Sequence, residues 1–250
     1  MDEDLSSYKR SVKPRRFFSV LVLALAVIAG MYLGDVQQKK PPEAPATIGG
    51  VKVESANEAT LSTYNGALAG LHGLAVKGRA PKTGYARAQF GNGWEKSGTC
   101  DTRNRILARD LTAVTFEVNS CIVLTGSLQD PYTGKLIPVA RGQDTSSDIQ
   151  IDHVVALSDA WQKGAQLLAP ALRVELANDG LELLAVDGPA NQQKGDGDAA
   201  TWLPSNKPFR CAYVARQVSV KLKYSLWVTA AEKTAIERIL KNCPSEPLPK

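Results

Sequence analysis

The centre of the chain reads IDHVV at residues 151–155, which places an acid beside an imidazole at the end of an apolar, β-branched stretch. β-Branched residues favour strands, in which successive side chains point to opposite faces. Asp152 and His153 are therefore expected to serve one site only if the strand ends here. The turn-like sequence at 156–159 favours such an end. The stretch predicts a strand that delivers both side chains to a single site.

An adjacent carboxylate and imidazole suit the hydrolysis of a phosphodiester. That reaction needs a base that takes a proton from water and a divalent cation that stabilises charge on the phosphate and the leaving oxygen. In this interpretation Asp152 holds the cation and His153 is the base. A lone Asp-His pair is more often structural, so the interpretation depends on the sequence that follows.

Two further blocks follow in order. Residues 176–180 read LANDG, contain Asn178, and precede the apolar run LELLAV at 181–186, which predicts a second strand. Residues 187–196 read DGPANQQKGD, a turn that opens a predicted helix carrying Asn191 and Lys194. The three blocks predict the order strand, strand, helix, with polar side chains at each junction.

Together the three blocks resemble the HNH, or ββα-metal, nuclease motif. From about Cys100 to Cys243 the chain is similar to secreted bacterial HNH-family proteins related to the C-terminal nuclease domain of GmrSD-type restriction enzymes. The resemblance implies an α+β fold, with a ββα-metal core, a small antiparallel sheet and surrounding helices. It also implies an endonuclease whose substrate is DNA rather than RNA.

The resemblance assigns a role to each polar residue of the blocks. His153 matches the general base, Asp152 and Asn191 match the metal ligands, and Asn178 matches the residue that orients the base. Lys194 matches a position that contacts a phosphate. Asn191 stands where the name-giving motif has its final His, and oxygen ligands favour Mg²⁺ or Mn²⁺ over Zn²⁺. An imidazole with the ordinary pKa of about 6.5 predicts a rate that falls below about pH 6.

A non-catalytic alternative stays open. An envelope protein that keeps the fold as a module for binding DNA or a wall partner would show the same residues. A serine hydrolase is disfavoured because the sequence has no Gly-x-Ser-x-Gly elbow.

The charge distribution points to the C-terminal region as the nucleic-acid contact. The net charge is +5, and residues 201–250 contain nine Lys and Arg against three Asp and Glu. Arg210, Arg216, Lys221 and Lys223 share one predicted helix, and Arg216 and Lys223 are the candidates for phosphate contact. A solvated helix face explains them equally well. The sequence has no base-reading motif, which predicts low specificity, and no feature predicts a protein partner.

The N-terminal region predicts export. Residues 1–16 are polar with a basic end, and 17–34 run for 18 residues without a charge, about 27 Å of helix. This pattern predicts a transmembrane signal-anchor with a cytoplasmic basic tail and everything after it outside the cytoplasm, or secreted if the signal is cleaved. Residues 35–59 read as a Pro-rich linker and 60–250 as the nuclease domain.

The four cysteines agree with export, because all lie beyond the apolar segment and their number is even. Two disulfides with three possible pairings are expected. Joining sequence neighbours gives Cys100 with Cys121 and Cys211 with Cys243, and the family resemblance points the same way.

The other elements are predicted from local signals. They are a helix at 101–111, strands at 121–125 and 135–140 around a turn at 130–134, a helix capped by Ser158 that runs to Ala169 and ends at Pro170, a helix at 171–177, and a helix from the capping box at 229–232 to about Lys241.

Overall fold

The computed structural model describes residues 64–142 and 147–250, which belong to one structural unit, Val51–Lys250. The predicted basic tail, apolar segment and linker at 1–16, 17–34 and 35–59 lie outside the described residues. None of the helices within the described ranges is both long enough and apolar enough to cross a bilayer.

The described chain is a mixed α+β structure with small antiparallel sheets, as predicted. Its α-helices are α1 (Ala67–Gly73), α2 (Thr102–Asp110), α3 (Leu157–Gln162), α4 (Pro170–Asn178), α5 (Gly188–Lys194), α6 (Arg210–Lys223) and α7 (Ala230–Leu240). Its strands are β1 (Lys96–Ser97), β2 (Cys100–Asp101), β3 (Thr112–Phe116), β4 (Val123–Gln129), β5 (Leu136–Ala140), β6 (Ile149–His153) and β7 (Leu183–Asp187). Short 3₁₀ helices lie at Arg87–Phe90, Ala165–Leu167 and Lys207–Phe209.

The central motif sequence forms β6 and pairs antiparallel with β7, so that Asp152 lies opposite Leu184 and His153 opposite Leu183. Strand β6 ends at His153, shortly before the turn-like sequence at 156–159 that favours such an end. Ile149 and Ile151 pack in a small core with α2 and β4, and Gln150, Ile151 and Asp152 line a cleft. The strand therefore lies between the small core and the cleft.

Helix α5 follows β7 without a loop. The Asp187 carboxylate caps the helix by accepting from the backbone N–H of Ala190 at 2.8 Å, and Pro189 lies in the first turn. Gly188 is required at the junction, because a Cβ there would lie 2.1 Å from the carbonyl oxygen of Ser147. This tight connection sets the start of α5 against the strand pair.

The larger core packs the remaining helices around α6. Its fully buried side chains include Tyr213, Val214, Val218, Ile236 and Leu240. Helix α7 begins with the predicted capping box, in which Thr229 and Glu232 each bond the other's backbone N–H.

A buried ion network crosses this core. The ammonium of Lys163 lies 2.8 Å from Asp159, 2.7 Å from Asp198 and 2.6 Å from Glu232, and its side chain is fully buried. Burial alone would lower the pKa of Lys163, but Glu232 and Asp159 outweigh it and raise the pKa above its ordinary value. Lys221 and Arg79 supply the other two cations of the network. The network joins α3, α6 and α7.

Both disulfides that the sequence analysis selected are present. Cys100 joins Cys121, with Cα atoms 5.6 Å apart, and ties β2 to the loop before β4. Cys211 joins Cys243, with Cα atoms 6.4 Å apart, and ties the start of α6 to the segment after α7.

The helix predicted from Ser158 to Ala169 is wrong in extent. Ala156 is the N-cap of α3, and Ser158 lies inside the helix and donates its hydroxyl to Asp196. The helix ends early because Gly164 adopts φ +123°, a conformation that favours glycine. Pro170 begins α4 instead of ending the previous helix. Strand β3 was not predicted.

We expect Lys163→Met to lower the free energy of unfolding by about 3–5 kcal/mol, because it leaves three carboxylates without their shared buried cation. Lys241→Met is the matched control, since that side chain is 65% exposed and its ion pair among the described residues is with Glu237. Urea unfolding followed by tryptophan fluorescence measures both. Equal midpoints for the two variants would contradict a stabilising role for the network.

Candidate active site

A cleft of about 470 Å³ lies where β6 ends and α5 passes beside it. Asp152, His153 and Asn191 all line this cleft, so the structure brings together the three residues that the sequence analysis grouped. The other lining residues are Tyr85, Arg87, Trp94, Arg103, Gln150, Ile151, Ala156, Leu157, Ser158, Gln192, Gly195 and Asp196.

The imidazole of His153 is held by a backbone carbonyl. Its Nε2 lies 3.0 Å from the carbonyl oxygen of Ala177, at the end of α4. Because a carbonyl oxygen only accepts, this contact places the proton on Nε2 and leaves Nδ1 with a free electron pair. The hydrogen bond therefore sets the tautomer that a base acting through Nδ1 requires.

The environment of His153 keeps it neutral. Burial is the main reason that its pKa falls from 6.5 to about 3, and the cations Arg87 and Lys194 lower it as well. The hydrogen bond with the Ala177 carbonyl raises the pKa but does not outweigh them. The indole of Trp94 stacks on the imidazole, with ring centroids 5.8 Å apart and planes 9° from parallel. The imidazole therefore stays neutral well below pH 6, the pH at which an ordinary pKa predicts that the rate begins to fall.

The Asp152 carboxylate is fixed through both oxygens. Oδ1 accepts from the ammonium of Lys194 at 2.9 Å, and Oδ2 accepts from the hydroxyl of Tyr132. Tyr132 stays protonated, because burial and then the charge of Asp152 raise its pKa well above the ordinary value. These bonds hold the side chain in one orientation, and each carboxylate oxygen keeps a second lone pair.

The donor set of Asp152 and Asn191 fits a hard cation. The amide nitrogen of Asn191 donates to Oε1 of Gln150 at 2.9 Å, which assigns its NH₂ group to Gln150 and leaves the amide oxygen for a ligand. Carboxylate and amide oxygens are ligands that Mg²⁺ and Mn²⁺ accept. In the described residues, the one set of three clustered His, Cys, Asp or Glu groups is Cys211, Cys243 and Glu246, whose sulfurs form a disulfide.

Asn178 does not touch His153 through its side chain. Its Oδ1 accepts from the backbone N–H of Glu95 at 2.9 Å, and its Nδ2 donates to the carbonyl of Val174. Asn178 is predicted to orient the base by tying the loop between the strands, and the hydrogen bond to the imidazole itself comes from the neighbouring residue Ala177. The physical reason is that α4 ends here, so a free carbonyl is available at the last turn. Asn178 instead anchors the residue next to Trp94.

Lys194 is not placed to contact a phosphate. Its side chain is fully buried, and its ammonium bonds Asp152 and, at 2.7 Å, the carbonyl oxygen of His153. A buried ammonium must be paired, and the acid at the end of β6 provides the partner. The assignment of Lys194 to phosphate binding is therefore corrected to one of positioning Asp152.

The basic residues of α6 also serve the protein's own structure. Arg216 donates to the carbonyl oxygens of Gly180 and Leu181, and Lys223 pairs with Asp179 at 2.8 Å. Lys221 is buried in the ion network, and Arg210 donates to the carbonyl of Pro204. Arg216 and Lys223 lie outside the cleft lining, so their predicted contact with substrate is not supported by their placement.

Sequence reasoning missed Trp94, Tyr132, Arg87 and Arg103. Tyr132 lies in the turn between β4 and β5, and Trp94 precedes β1, so both reach the site from distant parts of the chain. No local pattern predicts which turn residue folds onto a strand end. The one available signal is the rarity of tryptophan, of which the chain has four.

The chain is similar to a known protein family and to a secreted protein. Residues 101–239 match the family described as GmrSD restriction endonucleases, C-terminal domain. A protein of Arthroderma benhamiae described as an uncharacterized secreted protein is 39% identical over 175 residues, covering 69% of this chain and 82% of that protein. No solved structure matches the chain.

We expect long-range ¹H–¹⁵N correlation spectra at pH 7 to show His153 as the neutral Nε2–H tautomer, because the Ala177 carbonyl requires that proton. The chain has two histidines, so a His72→Gln variant assigns the signals. An Nδ1–H tautomer or an imidazolium at position 153 would contradict this geometry.

Proposed function

Because the chain belongs to the family of GmrSD restriction endonuclease C-terminal domains, as its motifs predicted, we propose that it is a metal-dependent endonuclease. The observation that carries this proposal is the cleft shared by Asp152, His153 and Asn191. The strand pair β6–β7 followed by α5 gives the order that a ββα-metal core requires. The HNH type of nuclease is the form of this activity that we propose.

In the proposed reaction His153 is the general base. Nδ1 takes a proton from the water that attacks phosphorus, while the Ala177 carbonyl stabilises the imidazolium that forms by accepting from Nε2–H. Trp94 holds the ring plane and excludes bulk water from one face. Burial keeps the imidazole unprotonated at neutral pH, so Nδ1 carries the lone pair that this step uses.

Asp152 and Asn191 would hold one divalent cation, Mg²⁺ or Mn²⁺. Such an ion stabilises negative charge on the phosphate and on the leaving 3′ oxygen. Lys194 and Tyr132 orient the Asp152 carboxylate, and Gln150 orients the amide of Asn191. In this proposal the protein supplies two oriented oxygen ligands, from Asp152 and Asn191, together with His153 as an oriented base.

We assign DNA as the substrate, cut with low sequence specificity. The cleft is lined by charged side chains, among them Arg87 and Arg103, and such groups contact the phosphate backbone without reading the bases. The distinction from RNA rests on the restriction-endonuclease character of the family.

The proposed site of action is outside the cytoplasm. Two disulfides and a secreted relative support export. We retain the signal-anchor at 17–34, the basic tail at 1–16, the linker at 35–59 and the nuclease domain at 60–250 as proposals, with secretion as the alternative if the anchor is cleaved.

One observation favours a non-catalytic DNA-binding or wall-binding module. Both oxygens of Asp152 already accept hydrogen bonds, and His153 is only 7% exposed beneath Trp94. A protein that used the fold only for binding would tolerate such a closed site. Turnover separates the two functions.

We expect the full-length protein to nick supercoiled plasmid with Mg²⁺ or Mn²⁺ and to lose this activity with a chelator. His153→Ala should reduce the rate about 10²–10⁴-fold, because the general base is lost. His72→Ala is the matched control, since His72 is exposed and lies outside the cleft lining. DNA binding without nicking by the unsubstituted protein would favour the module.

We expect Asn191→Ala to raise the Mn²⁺ concentration for half-maximal nicking at least ~10-fold, because one oxygen ligand is removed. Asn191→Asp keeps an oxygen and should restore tight binding. Gln193→Ala is the matched control and should leave the Mn²⁺ requirement unchanged, since this exposed amide lies on the same helix outside the cleft lining. An unchanged Mn²⁺ requirement in Asn191→Ala would remove this residue from the ligand set.

A further inference from the structure

Three arginines follow the cleft and its neighbouring groove in a fixed order. Arg87 begins the 3₁₀ helix at Arg87–Phe90, is exposed, and lines both the cleft and an adjoining hollow of about 220 Å³ that also contains His153 and Trp94. It therefore marks the His153 end of the cleft.

Arg103 marks the other wall. It lies in the first turn of α2, and its guanidinium donates to the carbonyl of Ile149 on β6 at 3.2 Å. This bond uses one of the five N–H donors of the guanidinium, so other N–H groups remain for a ligand. Arg103 lines the cleft and also a second groove of about 450 Å³ between α2 and the β4–β5 sheet. The residue thus connects the two depressions.

Arg141 continues the row into the second groove. It follows β5, is exposed, and lines the groove together with Arg103. Burial lowers the pKa of Arg103. The charge of Asp101 acts in the opposite direction, whereas the like charge of Arg141 lowers the pKa further. Two cations that repel each other in a groove are stabilised by an anion placed between them.

The acids of the two depressions are already engaged. Asp101 caps α2 by accepting from Asn104, Asp152 is paired with Lys194, and Asp196 bonds Lys82 and Ser158. Arg87, Arg103 and Arg141 are the other charged residues of these linings. Their described hydrogen bonds leave most of their guanidinium N–H donors for a ligand.

We propose that Arg87, Arg103 and Arg141 form a phosphate-binding row along which one polynucleotide strand lies. This inference rests on the proposed nuclease function and names its substrate-contacting residues. The strand would pass Arg87, cross the Asp152–His153 pair, and continue past Arg103 into the groove at Arg141. Guanidinium groups bind phosphate without reading bases, so the row accounts for low sequence specificity. It takes the place of the α6 cations, which the protein uses internally.

The test measures binding separately from cleavage. Full-length protein carrying His153→Ala is titrated, in chelator, into two fluorescently labelled DNA duplexes of unrelated sequence at several salt concentrations. Arg87→Gln, Arg103→Gln and Arg141→Gln are each added to this background. Arg238→Gln removes the same charge from the exposed face of α7 and is the matched control. Circular dichroism checks folding, and Arg103→Lys keeps the charge if Arg103→Gln does not fold.

Each of the three variants should weaken binding to both duplexes by the same factor, roughly tenfold at 50 mM salt, and lower the salt slope by about 0.9. Arg238→Gln should leave both values unchanged. If Arg87→Gln and Arg141→Gln bind like Arg238→Gln, the row is wrong, even when the unsubstituted protein cleaves DNA. If the variants weaken binding but the unsubstituted protein never cleaves, the row stands and the nuclease function fails.

Discussion

The contact between Lys194 and the end of β6 is the constraint on which the site depends. The Lys194 ammonium bonds the Asp152 carboxylate and the His153 carbonyl, and its side chain is fully buried. Neither ion is stable alone in such a place, so the pair forces the end of α5 against the end of β6. Asn191 lies one turn earlier on α5 and lines the same cleft as Asp152. One ion pair thus assembles the proposed ligand set and fixes the strand that carries the base.

A second layer controls the base and comes partly from outside the family-matched region. Ala177 sets the tautomer of His153, and Trp94, which precedes residues 101–239, covers the imidazole. Asn178 links the two by accepting from the backbone of Glu95 next to Trp94. The last turn of α4 therefore acts on the imidazole in two ways. The Ala177 carbonyl bonds it directly, and Asn178 holds the residue next to the stacked indole of Trp94. The residues before the family-matched region belong to the site.

Much of the fold and part of the site follow from local sequence. The β-branched run at 151–155, the capping box at Thr229 and the helix at α4 are determined by neighbours in sequence, and each lies where predicted. The partners of charged groups are not local. Lys194 and Lys223 look like free cations in sequence, yet each meets an acid more than 40 positions away. Arg87 and Arg103 look no different from them, and only the tertiary structure places them in the cleft.

The central claim is that Asp152 and Asn191 hold one cation beside the base. A crystal structure of the protein soaked with Mn²⁺, with anomalous data collected for manganese, tests it most directly. We expect an anomalous peak roughly 2.0–2.3 Å from an oxygen of Asp152 and from the amide oxygen of Asn191, with the Lys194 contact retained. A peak bound elsewhere, or none at Asp152 under conditions that support cleavage, would contradict it.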